Sequence, residues 1–171
     1  MKVDAARSAL NAVNPDVTII AVHKRLEDFS AVAGADVVLD CTDNFATRHA
    51  INRACVKHRK PLVSGAAIRF DAQLMVFDLR NPDSACYACL FPEDAQVEEV
   101  QCSTMGVLAP LTGVIGALQA MEALKLVAGI GAPPSLQILD AKSAEWRRVR
   151  VRKDPACAVC GATRAGSVAA R

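Results

Sequence analysis

Two cysteine pairs with the same spacing are the strongest chemical signal in the sequence. Cys86 and Cys89 form one Cys-x-x-Cys motif, and Cys157 and Cys160 form another. Four thiolates in such pairs, flanked by turn-forming residues, can bind a zinc ion in a closed tetrahedral site, which is structural. The ion would hold a C-terminal segment against a loop in the middle of the chain. Two redox motifs or chance repetition are the alternatives, although neither pair lies at the strand-to-helix junction of a thioredoxin-like dithiol.

A polar segment that follows a short apolar run supplies the second set of candidate residues. It reads Asp-Cys-Thr-Asp-Asn from Asp40 to Asn44, and Arg48 lies one helical turn beyond it. In an open parallel sheet, ligands bind beyond the carboxyl ends of the strands, and a carboxylate there can hold Mg²⁺ on a polyphosphate. The alternative is that Asp43 and Asn44 only cap a helix and that Arg48 is a solvated helix residue.

Cys102 is a candidate nucleophile. It follows an acidic stretch, residues 92–99, and precedes a long helical pattern. A cysteine in a loop ahead of a helix is accessible to a large partner, and its thiolate can attack an activated acyl group. A small buried residue near the start of the helix is the alternative, because free cysteines are commonly buried.

The remaining cysteines and the histidines carry weaker signals. Cys41 and Cys55 lie in an apolar strand end and an apolar helix, and both are interpreted as core residues. His23, His49 and His58 have no metal-ligand spacing and are interpreted as solvated or core residues.

Hydrophobic periodicity predicts the elements that must position these residues. We expect helices over 3–13, 46–58 and 111–128, and strands over 17–22, 36–40, 61–65, 73–79, 136–139 and 146–151. Strand 73–79 is a candidate for antiparallel pairing. Strands that alternate with helices indicate parallel α/β units. The predicted fold class is therefore α/β, with a Rossmann-like, partly parallel sheet and an antiparallel C-terminal extension.

Length, composition and charge limit the protein class. A chain of 171 residues with 52% hydrophobic residues is long enough for one domain, expected over 1–161 with a disordered tail over 162–171. The net charge is +2 from 20 basic and 18 acidic side chains, which argues against a nucleic-acid partner. No signal segment or membrane span is predicted, so the seven cysteines are expected in the reducing cytoplasm as metal ligands or catalytic groups.

Taken together, the ordered motifs resemble the MoeB/ThiF/HesA family. They are the Asp-Cys-Thr-Asp-Asn segment with Arg48, the segment 61–69, the two cysteine pairs and the helical segment 106–125. The resemblance runs from about residue 1 to Gly161. It implies an adenylyltransferase that activates ubiquitin-like sulfur-carrier proteins and is related to the ubiquitin-activating enzymes. The motifs are most similar to the MoeB branch, which they hardly separate from ThiF.

The resemblance implies ATP-dependent adenylation of the C-terminal glycine of a MoaD-like or ThiS-like carrier, in preparation for thiocarboxylate formation. Asp43 matches the magnesium ligand, Asn44 and Arg48 shape the same nucleotide site, and Lys2 matches a lysine that contacts the triphosphate. The four paired cysteines match zinc ligands. Cys102 matches a loop cysteine that accepts an acyl or persulfide group in some members. The family also implies a homodimer and a sulfurtransferase as sulfur donor. It implies no membrane partner.

One departure from the family pattern concerns the nucleotide loop. The family's Gly-rich turn belongs to its first βαβ unit, and no glycine precedes Gly34 in this sequence. We therefore expect an N-terminally truncated member with impaired activity and with an exposed sheet edge and apolar face. A gene fragment, a deliberately shortened chain and a split protein are the alternatives. The competing function is a non-catalytic zinc-containing module that docks a carrier or partner through the strand edge at 73–79.

Overall fold

One mixed β-sheet forms the centre of the molecule. The computed structural model describes residues 1–25, 27–95, 105–131 and 133–161. Five strands lie in the order of the sequence: β1 (Val38–Asp40), β2 (Leu62–Ile68), β3 (Asp71–Phe77), β4 (Ser135–Asp140) and β5 (Glu145–Arg150). β1 and β2 are parallel, and each later pair of neighbours is antiparallel. The predicted α/β class and the antiparallel C-terminal extension are confirmed.

The predicted helices are present with similar bounds. They are α1 (Lys2–Val13), α2 (Phe45–His58) and α4 (Ala109–Val127), joined by a short α3 (Tyr87–Leu90) and a 3₁₀ helix (Ser30–Gly34). Pro110 lies in the first turn of α4, where a missing N–H costs nothing. α2 connects the parallel strands β1 and β2, so its N-terminus follows the carboxyl end of β1.

Side chains of the sheet alternate between two apolar layers. On β3, Leu74 and Val76 pack in the layer that contains Leu126 of α4. Met75 and Phe77 point to the opposite layer, which contains α2 and the loops that carry the cysteine pairs. Burial of each large apolar side chain contributes about 1.5–3 kcal/mol to folding. The sheet therefore fixes α4 on one face and α2 with the cysteine loops on the other.

The predicted strand at 17–22 is wrong. Residues 18–23 have no regular secondary structure, and Ile20 is 83% exposed. A β-branched run becomes a strand only where a neighbouring strand satisfies its backbone groups. No such neighbour pairs with this segment in the part of the chain that the structure describes.

The segment expected to offer a free docking edge lies inside the sheet. β3 pairs with β2 on one side and β4 on the other, so the proposed docking edge at 73–79 does not exist. β1 and β5 are the outer strands among the described residues. An apolar surface is also exposed on α4, where Leu124 is 70% and Val127 is 61% exposed. Within the described ranges, no helix combines the length and apolar character needed to cross a membrane.

Candidate functional site

A cavity of about 590 Å³ opens at the carboxyl ends of β1 and β2. The loop after β1, the start of α2, the second half of β2 and the first half of α4 form most of its walls. Tyr87 and Phe91 add an aromatic wall. The cavity therefore lies at the end of the parallel strands, where α/β sheets bind ligands.

The buried carboxylate of Asp40 organises the loop after β1. Its Oδ1 accepts hydrogen bonds from the backbone N–H of Thr42 at 2.9 Å and from the Thr42 hydroxyl at 2.7 Å. Its Oδ2 accepts a hydrogen bond from the Ser64 hydroxyl at 2.9 Å, and Asp40 is only 1% exposed. Asp40 is therefore a structural anchor, and the exposed carboxylate of the motif is that of Asp43.

Arg48 holds the same loop against β2. Its Nε donates to the Thr42 carbonyl at 3.1 Å, and a terminal nitrogen donates to the carbonyls of Thr42 and Gly65. Arg48 is buried, so the interpretation as a solvated helix residue is wrong. Asn44, by contrast, caps α2, because its Oδ1 accepts from the Thr47 N–H at 2.8 Å.

Gln119 is a site residue that the sequence reasoning missed. Its Nε2 donates to the carbonyls of Asp40 at 3.0 Å and Val63 at 3.3 Å, and its Oε1 accepts from the Cys41 thiol at 3.5 Å. It is buried on α4, one turn after the buried Ile115. A polar residue at a helical spacing from buried apolar residues, such as Leu111 and Ile115, is the signal that could have identified it, because such groups are buried only with partners.

Replacement of Gly65 with alanine should destabilise this contact. A Cβ at residue 65 would overlap the side-chain amide of Gln119, so the amide must move away from its two carbonyl partners. We expect the free energy of unfolding to fall by about 1–3 kcal/mol in urea denaturation. Gly113→Ala, where a Cβ meets open space on α4, should not destabilise the protein. If the losses of unfolding free energy in Gly65→Ala and Gln119→Ala were fully additive in the double variant, this contact would be contradicted.

The structure brings Asp43, Asn44 and Arg48 to one cavity but places Lys2 elsewhere. Asp43 is exposed at the cavity wall, free to face a ligand from solvent. Lys2 is exposed on α1, a helix that buries none of its residues, and it does not line the cavity. Its predicted contact with a triphosphate remains a prediction.

The four paired cysteines converge in one cluster. The Sγ atoms of Cys86 and Cys157 are 3.8 Å apart, and those of Cys89 and Cys160 are 3.4 Å apart. All four Sγ atoms lie within 4.8 Å of one another. A tetrahedron with metal–sulfur bonds of about 2.3 Å has sulfur–sulfur edges of about 3.8 Å. The cluster therefore fits a metal ion such as zinc, as the spacing predicts.

Backbone contacts hold the two cysteine loops in place. The Asp154 N–H donates to the Cys89 Sγ at 3.4 Å. A hydrogen bond with Cys86 lowers the pKa of the Cys89 thiol, and the same contact, together with burial, raises the pKa of Cys86. A Cβ at Gly161 would lie 2.5 Å from the Cys157 carbonyl oxygen, so only glycine fits this turn. These contacts hold the Cys89 thiol and the turn after Cys157 in place.

Aromatic rings connect the cluster to the cavity. Tyr87 lies between Cys86 and Cys89 in sequence and lines the cavity. Its ring centroid is 5.0 Å from that of Phe91 and 5.2 Å from that of His49. Burial raises the pKa of the Tyr87 hydroxyl. One side of the cavity is therefore built on the loop that carries Cys86 and Cys89.

His49 should make folding stability depend on pH. Burial lowers the pKa of the ring, the nearby Glu93 carboxylate partly offsets this shift, and Arg53 adds to it. Because the unfolded chain then binds the proton more readily, stability should fall as the pH drops below about 6.5. His49→Phe, which places a neutral ring among the aromatic neighbours, should show a smaller loss between pH 7.5 and pH 5.5 in urea denaturation. Equal losses in both proteins would contradict a role for His49.

Of the two cysteines assigned to the core from the sequence, only one is buried. Cys41 is exposed and lines the cavity, so its assignment to the core is wrong. Cys55 is fully buried, and burial followed by the charge of Asp40 raises its pKa to about 12, which makes it unreactive. Cys102 and the predicted tail at 162–171 lie outside the described residues.

Comparison with known proteins identifies the family. The sequence model of the ThiF family matches residues 1–159. The chain belongs to this family. It is 45% identical over 172 residues to the sulfur carrier protein ThiS adenylyltransferase of Escherichia coli K12, covering 98% of this chain and 67% of that protein. It is 46% identical over 168 residues to the molybdopterin-synthase adenylyltransferase of Salmonella typhimurium LT2, covering 94% of this chain and 66% of that protein.

These relatives confirm the family and agree with the adenylyltransferase class predicted for this member. The chain spans about two thirds of the length of the curated relatives it matches. Its fold is similar to that of crystal structures of E. coli MccB, with a TM-score of 0.73 at 16% identity over 94% of this chain and 50% of that chain. The structure of MccB with ATP gives a TM-score of 0.74 at 17% identity, with coverages of 94% and 51%. At this identity the likeness concerns the fold alone.

Proposed function

We propose that this ThiF-family chain takes part in the ATP-dependent adenylation of the C-terminal glycine of a ubiquitin-like sulfur-carrier protein. The observation that carries the proposal is the exposed Asp43 carboxylate at the wall of a cavity beyond the parallel strands. The loop that presents it is held in place by Asp40 and Arg48. The names of the adenylyltransferase relatives support the same reaction.

Each cavity residue has a role that follows from its contacts. Asp43 would hold Mg²⁺, which supplies neutralisation of the charge that develops on the phosphates. Asn44 fixes the N-terminus of α2, whose dipole favours negative charge near the loop. Arg48 donates to the carbonyls of Thr42 and Gly65, so it positions the loop. The carrier carboxylate would attack the α-phosphorus of ATP, forming the acyl-adenylate as the bond to pyrophosphate breaks.

We propose that the metal of the cysteine cluster is zinc and that it is structural. Four thiolates close the tetrahedral coordination, so no position is open to a substrate. The ion would join the loop after β3 to the segment after β5, in addition to the hydrogen bonds that already connect them. Its free energy of binding would stabilise the fold directly.

The remaining assignments rest on the family. We propose a MoaD-type or ThiS-type carrier, because the relatives include both enzyme types. Lys2 would contact the triphosphate. Cys102 would accept either the acyl group of the carrier adenylate, with release of AMP, or a persulfide sulfur from a sulfurtransferase donor. A homodimer and a cytoplasmic location complete the proposal. The location agrees with paired cysteines that act as metal ligands, which is their usual role in a reducing compartment.

Carrier-dependent exchange of pyrophosphate with ATP tests the proposed function. The region of the E. coli ThiS adenylyltransferase that precedes its match to this chain would be fused ahead of Met1. We expect exchange by the fusion when a carrier ending in Gly-Gly is present, and little exchange by the chain alone. A carrier without its last glycine is the control. A folded fusion that binds the carrier without exchange would contradict the proposed function, and equal exchange by the chain alone would contradict the predicted impairment.

A further inference from the structure

Asn52 lies between the cysteine cluster and the cavity and belongs to neither set of predicted residues. It is on α2 and is 0% exposed. Its Nδ2 is 3.6 Å from the Cys86 Sγ, and its Oδ1 is 3.0 Å from the backbone nitrogen of Tyr87. A buried amide satisfied by these two groups is placed to act on the metal-binding loop.

The orientation of this amide follows from its neighbours. The backbone nitrogen of Tyr87 can only donate, so it requires the oxygen of the Asn52 side chain. The nitrogen is then left facing the Cys86 Sγ, which as a thiolate can only accept. An N–H bond to a metal-bound thiolate orients the ligand and offsets its negative charge.

The same helix also holds the cavity loop. Arg48 lies four residues before Asn52, so the two side chains emerge from one face of α2. Arg48 contacts the loop after β1, and Asn52 contacts the loop that presents Tyr87 to the cavity. One face of α2 therefore fixes two walls of the cavity at once.

We propose that Asn52 is a positioning residue that tunes metal binding by the cysteine cluster and couples the bound metal to the cavity wall at Tyr87. This inference rests on the metal site in the proposed function. The Nδ2 bond orients the Cys86 thiolate for the metal, and the Oδ1 bond sets the backbone of the next residue. Metal binding at Cys86 consequently fixes the ring of Tyr87 where it lines the cavity.

Two substitutions of Asn52 separate the two hydrogen bonds. Asn52→Asp keeps an oxygen for the Tyr87 N–H but turns a second oxygen toward the Cys86 sulfur. Asn52→Leu has a similar volume and removes both bonds. Cys55→Ala, on the same helix and equally buried in the same apolar layer, is the control for a loss of core packing that keeps both hydrogen bonds of Asn52. Lys57→Ala, at an exposed position of α2, is the control for a neutral change.

Zinc affinity of the full chain is the first measurement. Competition with a chromophoric chelator should show zinc binding weakened about 10–100-fold in Asn52→Leu and by at least as much in Asn52→Asp. The charge-transfer spectrum of the cobalt-loaded chain should shift in both variants, because the Cys86 thiolate loses its donor. Cys55→Ala and Lys57→Ala should leave the spectrum unchanged.

The state of the cavity wall is the second measurement. Tyr87 is the single tyrosine of the chain, so incorporation of 3-fluorotyrosine gives one ¹⁹F resonance from the wall. Removal of zinc from the parent chain should shift or broaden this resonance. Asn52→Leu at saturating zinc should show a shifted resonance although the metal is bound.

The outcomes distinguish this inference from the proposed function. A parent chain that binds no zinc would overturn the metal site and the positioning role together. Zinc binding by the parent, with affinity, cobalt spectrum and ¹⁹F resonance unchanged in both Asn52 variants, would overturn the positioning role alone. If Asn52→Leu fails to fold, the Asn52→Asp variant tests the proposal alone. A loss of zinc affinity in Asn52→Asp no greater than that in Cys55→Ala would then overturn the proposal.

Discussion

Replacement of Cys157 with serine is expected to release the metal ion and to destabilise the chain by about 4 kcal/mol, the range in which loss of a metal site falls. The Cys157 Sγ lies 3.8 Å from that of Cys86, and Cys157 is buried. A hydroxyl at this position is a poor zinc ligand and cannot carry the thiolate charge. For a chain of this size, the midpoint of thermal unfolding should fall by roughly 10 °C.

Metal analysis and thermal unfolding of the same samples check this expectation. The unmodified chain should contain about one zinc ion, and the Cys157→Ser variant much less than one. Cys41→Ser makes the same chemical change at an exposed thiol outside the cluster, and it should keep both the metal and the melting temperature. Full occupancy in Cys157→Ser would rule out the four-thiolate assignment.

The largest expected effect on activity is that of Asp43→Ala. In the fusion described above, carrier-dependent pyrophosphate exchange should fall at least about 100-fold, which corresponds to ~2.7 kcal/mol of transition-state stabilisation. The reason is that the exposed Asp43 carboxylate is the group of the loop that can hold Mg²⁺, whereas Asp40 is committed to Thr42 and Ser64. Stability should change by less than about 0.5 kcal/mol, because the side chain is exposed.

Asp36→Ala is the matched control for this prediction. Asp36 is another exposed carboxylate, and it lies before β1, at the end of the strand away from the cavity. Its loss removes the same charge without touching the cavity wall. Exchange should remain near that of the unmodified fusion. A Lys2→Ala variant of the fusion tests the other assigned contact. If Lys2→Ala kept full exchange activity while Asp43→Ala stayed inactive even at raised magnesium concentrations, only the contact assigned to Lys2 would be contradicted.

Local sequence patterns predicted most of the fold and the cysteine cluster. The helices α1, α2 and α4 follow from apolar spacing and from capping residues such as Asn44, which act within a few residues. The cysteine cluster follows from the preference of one metal ion for four thiolates. Strand 17–22 shows the limit of this reasoning, since the same β-branched residues form no strand where no neighbour pairs with them.

The sequence by itself determined the identity of the chemical groups: four paired thiolates, the polar loop with Asp43 and the family to which the chain belongs. Only the tertiary structure decided which of them touch. It placed Gln119 over Gly65, turned Arg48 inward to two carbonyls and set Asn52 between the cluster and the cavity. The physical reason is that these contacts join residues distant in sequence, and their partners are chosen by the burial of polar groups that must be satisfied once the sheet and its helices have packed.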